Sequence, residues 1–256
     1  MSLMTREDML RELELLPSWQ LRQPLKAAAA IAGSTEETLT VHADHAIVDK
    51  ASDNQAEALS ARSELIQQMD WQGLQQCVQT CQACSLAKTR TQTVFGTGDA
   101  HADWLFVGEA PGAEEDIQGE PFVGQAGKLL DNMLAAIRLR RGQNVYIANV
   151  LKCRPPENRD PHVDEVAQCR PFLQQQVALI QPKLIVALGK VAAQSLLPSE
   201  NTAAENTLAS LRGRLHDFNG VPVIVTYHPA HLLRNPSDKA KAWEDLCLAK
   251  TTMQGL

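Results

Sequence analysis

Three loops behind short apolar runs, and one set of thiols, hold the chemically capable side chains of this sequence. Glu109 lies in "GEAPGAEEDIQGEPF" behind "WLFVG", Asn149 opens "NVLKCRPPENRDP" at the end of "VYIANV", and His228 opens "HPAHLLRNPS" at the end of "VPVIVTYH". A carboxylate on a Gly-Pro-Gly turn can orient water or balance positive charge, and an Asn amide offers both a donor and an acceptor to an amide-like edge. Leu232, Leu233 and Arg234 set two apolar groups beside a cation on a Pro-bounded loop, the make-up of a wedge that parts stacked bases. The last set is thiols: Cys81 and Cys84 form a C-x-x-C clip, while Cys153 and Cys169 lie far apart in the chain. Such uneven spacing suits an iron–sulfur cubane more readily than a zinc ribbon, which wants a second close pair, but spacing leaves both metals open. Cys77 can stand in for either member of the clip. A phosphate loop is excluded, because "GQAGKL" has the wrong glycine spacing and Leu129 where a hydroxyl belongs.

These residues need a frame that gathers strand ends. The runs Trp104 to Gly108, Val145 to Val150, Leu184 to Gly189 and Val221 to His228 are continuous and apolar, as in strands buried on both faces. Helical patterns near 124 to 138, 163 to 181, 190 to 196 and 237 to 250 alternate with them, which predicts an α/β fold with a parallel sheet covered on both sides. In such a sheet the loops after the strands build the site, and every unusual loop here follows a strand. The chain has 256 residues, 44% of them apolar, enough for a sizeable core. Its net charge of -6 argues against a nucleic-acid partner until the distribution is read: residues 1 to 60 hold ten acids against five bases, and the remainder is nearly balanced. No apolar run approaches a bilayer span, so a cytoplasmic protein is expected, with its six cysteines as ligands or core residues and not disulfides.

Taken together, "GEAPGAEEDIQGEPFVGQAGKLL", "NVLKCRPPENRDP", "HPAHLLRNPS" and the four cysteines resemble the family 4 uracil-DNA glycosylases over roughly residues 74 to 250. The resemblance implies a three-layer α/β/α sandwich around a four-stranded parallel sheet, a [4Fe-4S] cluster on Cys81, Cys84, Cys153 and Cys169, and hydrolysis of the uracil–deoxyribose bond in single- or double-stranded DNA. It implies Glu109 as the catalytic acid, His228 as the group polarising a uracil carbonyl, Phe122 as the stacking aromatic beside Ala110, and Asn149 as the reader of the uracil edge. Leu232, Leu233 and Arg234 fall on the loop inserted into the duplex, and Lys152 and Arg154 are expected against DNA phosphate. Glu115 is a further candidate acid, whereas Glu114 and Glu120 read as solvated turn. A rival reading is a non-catalytic DNA-binding or replisome-docking module of the same fold. Ahead of the expected glycosylase domain, 61–256, residues 25–60 read as a linker and residues 1–24 as a short helical peptide. "LRELELLPSWQLRQP" is similar to the segment of the clamp-loader psi subunit that docks on chi, through Leu10, Leu13, Trp19, Leu21, Arg22 and Pro24. A monomer tethered to the replication machinery is the expectation that follows.

Overall fold

The computed structural model describes residues 59–197 and 207–256. The peptide expected over 1–24 and nearly all of the linker expected over 25–60 lie outside the described residues. Residues 59 and 60 already belong to a helical stretch, 59–67, that seats Ile66 in the core. Strands are β1 (Thr97–Gly98), β2 (Trp104–Gly108), β3 (Val145–Asn149), β4 (Leu184–Leu188), β5 (Leu215–Phe218) and β6 (Val221–Thr226). Helices are α1 (Trp71–Gln79), α2 (Ala113–Gln118), α3 (Gln125–Ala136), α4 (Val163–Ile180), α5 (Lys190–Leu196), α6 (Leu208–Leu211), α7 (Pro229–Arg234) and α8 (Lys239–Gln254).

The sheet runs β1-β3-β2-β4-β6-β5. Its four central strands are parallel, as expected, and two antiparallel edge strands, β1 and β5, extend it to six. Those edges are two and four residues long and carry no alternation that could have announced them. The period of two in the central strands sorts their side chains into two cores. Leu105, Val107, Ile185, Ala187, Val223 and Val225 face one way, against α4 and α5; Trp104, Phe106, Val186 and Ile224 face the other, against α3, α7 and α8. The result is the three-layer sandwich. A third core, of Leu74, Val78, Leu86, Phe172 and neighbours, holds Cys153 and Cys169.

A buried charge network fastens α8 to this frame. Arg212 Nε donates to Asp245 Oδ2 at 2.8 Å, its guanidinium lies 4.4 Å from the Tyr227 ring centroid, and Asp245 is 1% exposed. Arg212→Ala leaves that carboxylate buried without its cation, so unfolding in urea should show a loss of about 3–5 kcal/mol. Among the described residues no helix is long and apolar enough to cross a membrane.

Candidate active site and thiol pocket

Parallel pairing brings the chemistry to one edge of the sheet. Gly108 at the end of β2 is in register with Asn149 at the end of β3, and Leu188 of β4 with Thr226 of β6. The loops that start there carry Glu109, Asn149, Gly189 and His228 side by side. Gly108 cannot be larger: a Cβ would run into Asn149 Oδ1 and come within 2.5 Å of the Phe122 ring. Gly189, at φ +95°, admits the His228 Cβ at 3.1 Å from where its own would stand. The Phe122 and His228 rings are 5.4 Å apart, tilted by 31°. The structure therefore gathers Glu109, Phe122, Asn149 and His228, with Ala110 half-buried next to Glu109.

Three of these groups have unusual surroundings. Asn149 is 2% exposed and, among the described residues, its Oδ1 has no hydrogen-bond partner. An orphaned buried acceptor costs about 1–3 kcal/mol unless a ligand supplies the donor. His228 caps its own helix: the Ala230 amide donates to Nδ1 at 3.2 Å. Burial and the Arg234 cation push its pKa down to about 4, against the opposing pull of the Glu115 carboxylate. The ring is therefore neutral near pH 7, with Nδ1 an acceptor and the proton on Nε2, ready to donate. Glu109 shifts the other way, its carboxyl pKa raised by burial and then by the charge of Asp160.

Glu115, the further candidate acid, forms a clasp in this geometry. Its Oε1 accepts from the Val123 and Gly124 amides at 2.9 and 3.2 Å, and its Oε2 from the Gly112 amide at 3.0 Å. One carboxylate thus joins the Glu109 turn to the Phe122 turn. The sequence held a signal for this, an acid three residues into a helix start. Phe122 needs such support, because its φ of +57° lies in the left-handed region and costs a bulky side chain of order 1–3 kcal/mol.

Two expected DNA contacts are corrected. Lys152 is 1% exposed and points inward, its ammonium donating to the Asn149 carbonyl at 2.7 Å and Gln176 Oε1 at 2.6 Å. The extended alternation of Ala148, Val150 and Lys152 continues past the strand and turns all three toward α4. Leu232 is 1% exposed, because "PAHLLR" forms a helix rather than an open loop and places Pro229 and Leu232 on its inner face. Leu233, 45% exposed, and Arg234 remain on the outer face. Arg154 is half-buried, with Nε on Asn158 Oδ1 at 2.7 Å.

Cys81, Cys84, Cys153 and Cys169 line one pocket, walled by Val78, Ala87 and Phe172; Cys77 is outside that lining. Among the described residues no three His, Cys, Asp or Glu side chains are gathered as a single-ion site. The donor set nonetheless fits a thiolate-held group. Arg90 Nη1 donates to Cys153 Sγ at 3.1 Å, Arg62 Nη2 to Cys81 Sγ at 3.6 Å, and the Lys152 amide to Cys169 Sγ at 3.3 Å. Burial raises the Cys84 and Cys153 thiol pKa values and pushes Cys169 up to about 12. These thiols keep their protons unless a metal displaces them. Burial also lowers Lys152 to about 8, a shift that Cys169 and Cys153 oppose when they are ionised.

Comparison with known proteins agrees with the fold. Residues 95–248 match the family model of the uracil DNA glycosylase superfamily, which defines the class. The type-4 uracil-DNA glycosylase of Archaeoglobus fulgidus is 48% identical over 166 residues, covering 62% of this chain and 81% of the relative. That of Pyrobaculum aerophilum is 42% identical over 184 residues, 70% of this chain and 93% of the relative, and that of Thermotoga maritima 43% over 177 residues, 68% and 90%. The chain belongs to the type-4 uracil-DNA glycosylases, hydrolytic enzymes of DNA repair.

Proposed function

We propose that the pocket at the strand ends takes a uracil rotated out of DNA and releases it by hydrolysis, leaving an abasic site. The observation that carries this reading is the buried, unpartnered Oδ1 of Asn149 beside the Phe122 ring. Uracil offers an N3–H to that acceptor, whereas cytosine has none and would leave the acceptor unpaired. Phe122 stacks on the extruded base and offsets part of the cost of unstacking it. As the glycosidic bond breaks, positive charge grows on the sugar and negative charge on the base. The Glu109 carboxylate faces the first and orients water, and His228 Nε2–H donates to the second. Leu233 and Arg234, with Arg154 beside them in function, are the proposed contacts to DNA.

Cys81, Cys84, Cys153 and Cys169 would hold a [4Fe-4S] cluster, which supplies a cross-link between three chain segments and no electron to a hydrolysis. Support comes from the shared pocket and from the N–H groups aimed at three of the sulfurs. A reducing cytoplasm, where thiols stay free to hold metal, is the proposed location. The expected chi-docking peptide and its tether remain part of the proposal, for a protein that is otherwise a monomer. A tether would raise the effective concentration of enzyme at the replication fork. Calorimetry with a peptide of residues 4 to 26 tests this, and absence of heat with chi removes it.

The catalytic reading is tested by incubating iron-loaded protein with single- and double-stranded oligonucleotides carrying one uracil, followed by alkali. Strand scission at uracil and not at cytosine is expected, and Asn149→Ala should slow it about 10²-fold or more. No scission of either substrate by the loaded protein would overturn the reading.

A further inference from the structure

Phe122 sits on a turn whose backbone is held from both sides. Glu115 takes the amides that follow it, and Gly127 of α3 has no Cβ where the Phe122 carbonyl passes. The carbonyls are taken by Arg141, a residue between α3 and β3. Its Nη1 donates to the Pro121 carbonyl at 2.9 Å and its Nη2 to the Phe122 carbonyl at 2.9 Å. The guanidinium is itself fixed, with Nε and Nη2 each 3.0 Å from Asp131 Oδ1 on α3. A planar fork can meet two successive carbonyls and a carboxylate at once, which a lysine ammonium cannot. Arg141 belongs to none of the three hydrophobic cores, and Asp131 is 50% exposed at its side chain. What these contacts hold is the left-handed turn under the aromatic ring.

We propose that Arg141 is a positioning residue for base recognition, acting through Phe122 by locking the turn that presents the ring to uracil. This rests on the stacking role given to Phe122 above. A platform locked before binding loses less freedom when the base arrives, and a small displacement of it is costly to the reaction.

The test is a double-mutant cycle on the full, iron-loaded chain: wild type, Arg141→Met, Phe122→Ala and the pair, compared by single-turnover uracil release and by inhibition with free uracil. Arg141→Met should slow release and raise the uracil inhibition constant by about tenfold to a hundredfold, and Arg141→Lys should recover part of the loss. In the Phe122→Ala background the same substitution should change little, since the ring it positions is gone. A wild-type Arg141→Met, or a loss of the same size with and without the ring, overturns the inference. A Phe122→Ala protein as fast as wild type overturns the stacking reading and the inference with it, and is told apart by that single variant. Should Arg141→Met fail to fold, Asp131→Asn takes its place in the cycle, with the same outcomes.

Discussion

Glu109→Gln should lower the single-turnover rate of uracil release by about 10²–10⁴-fold while the circular-dichroism spectrum stays that of the wild type. The carboxylate stands at the mouth of β2, partly buried, and makes no hydrogen bond or ion pair among the described residues. Nothing in the fold depends on its charge, so the loss falls on catalysis. Burial and the neighbouring Asp160 raise its pKa, and the form proposed to work is the carboxylate. The rate therefore falls as pH drops through that raised value, above the ordinary glutamate figure of about 4.3. Asp160→Asn removes a like charge, lowers the Glu109 pKa and should move the acid limb of the pH–rate profile to lower pH. His228→Ala should reduce the rate without the same displacement, since its imidazole already lies at about 4. An acid limb indifferent to Asp160→Asn would remove Glu109 from its assigned role.

Stripping iron from the proposed cluster with a chelator should destabilise the protein far more than loss of a surface ligand would. The thiols come from the segment after α1, the turn after β3 and the middle of α4, so three segments lose their common tie. Lys152 adds a second cost. It is fully buried, and the anionic groups acting on it are the thiolates of Cys153 and Cys169. When those recover their protons, nothing opposes the burial that lowers the Lys152 pKa, and folding then carries the cost of discharging a buried lysine. Lys152→Met should therefore lose less stability on chelation than the wild type does, read as the difference in urea midpoints. Hydrogen exchange should quicken first at Asn149 to Cys153, because the Lys152 ammonium donates to the Asn149 carbonyl. Equal losses in both proteins would show that Lys152 draws nothing from the thiolates.

The parallel core was legible because a strand covered on both faces must be apolar at every position. That constraint is local, and it places Trp104–Gly108 and Val145–Asn149 within a residue of their final bounds. The edge strands were not legible, since half-exposed stretches such as Leu215–Phe218 meet no such demand. Glu109, Phe122, Asn149 and His228 were named from their motifs, and the register of the sheet then set them together.

The sequence by itself determined which residues are candidates for the chemistry, through their motifs and the family resemblance, and that their loops follow strands, because hydrophobic period is a property of neighbours in the chain. Tertiary structure alone decided which way those residues face. Lys152 and Leu232 went inward because strand parity and one turn of helix carried them there. Glu115 became a clasp by reaching the amides of another turn, and Arg141 was found only through the carbonyls it holds. Backbone amides and carbonyls are the same at every residue, so no pattern of side chains can reveal which of them a distant group will meet.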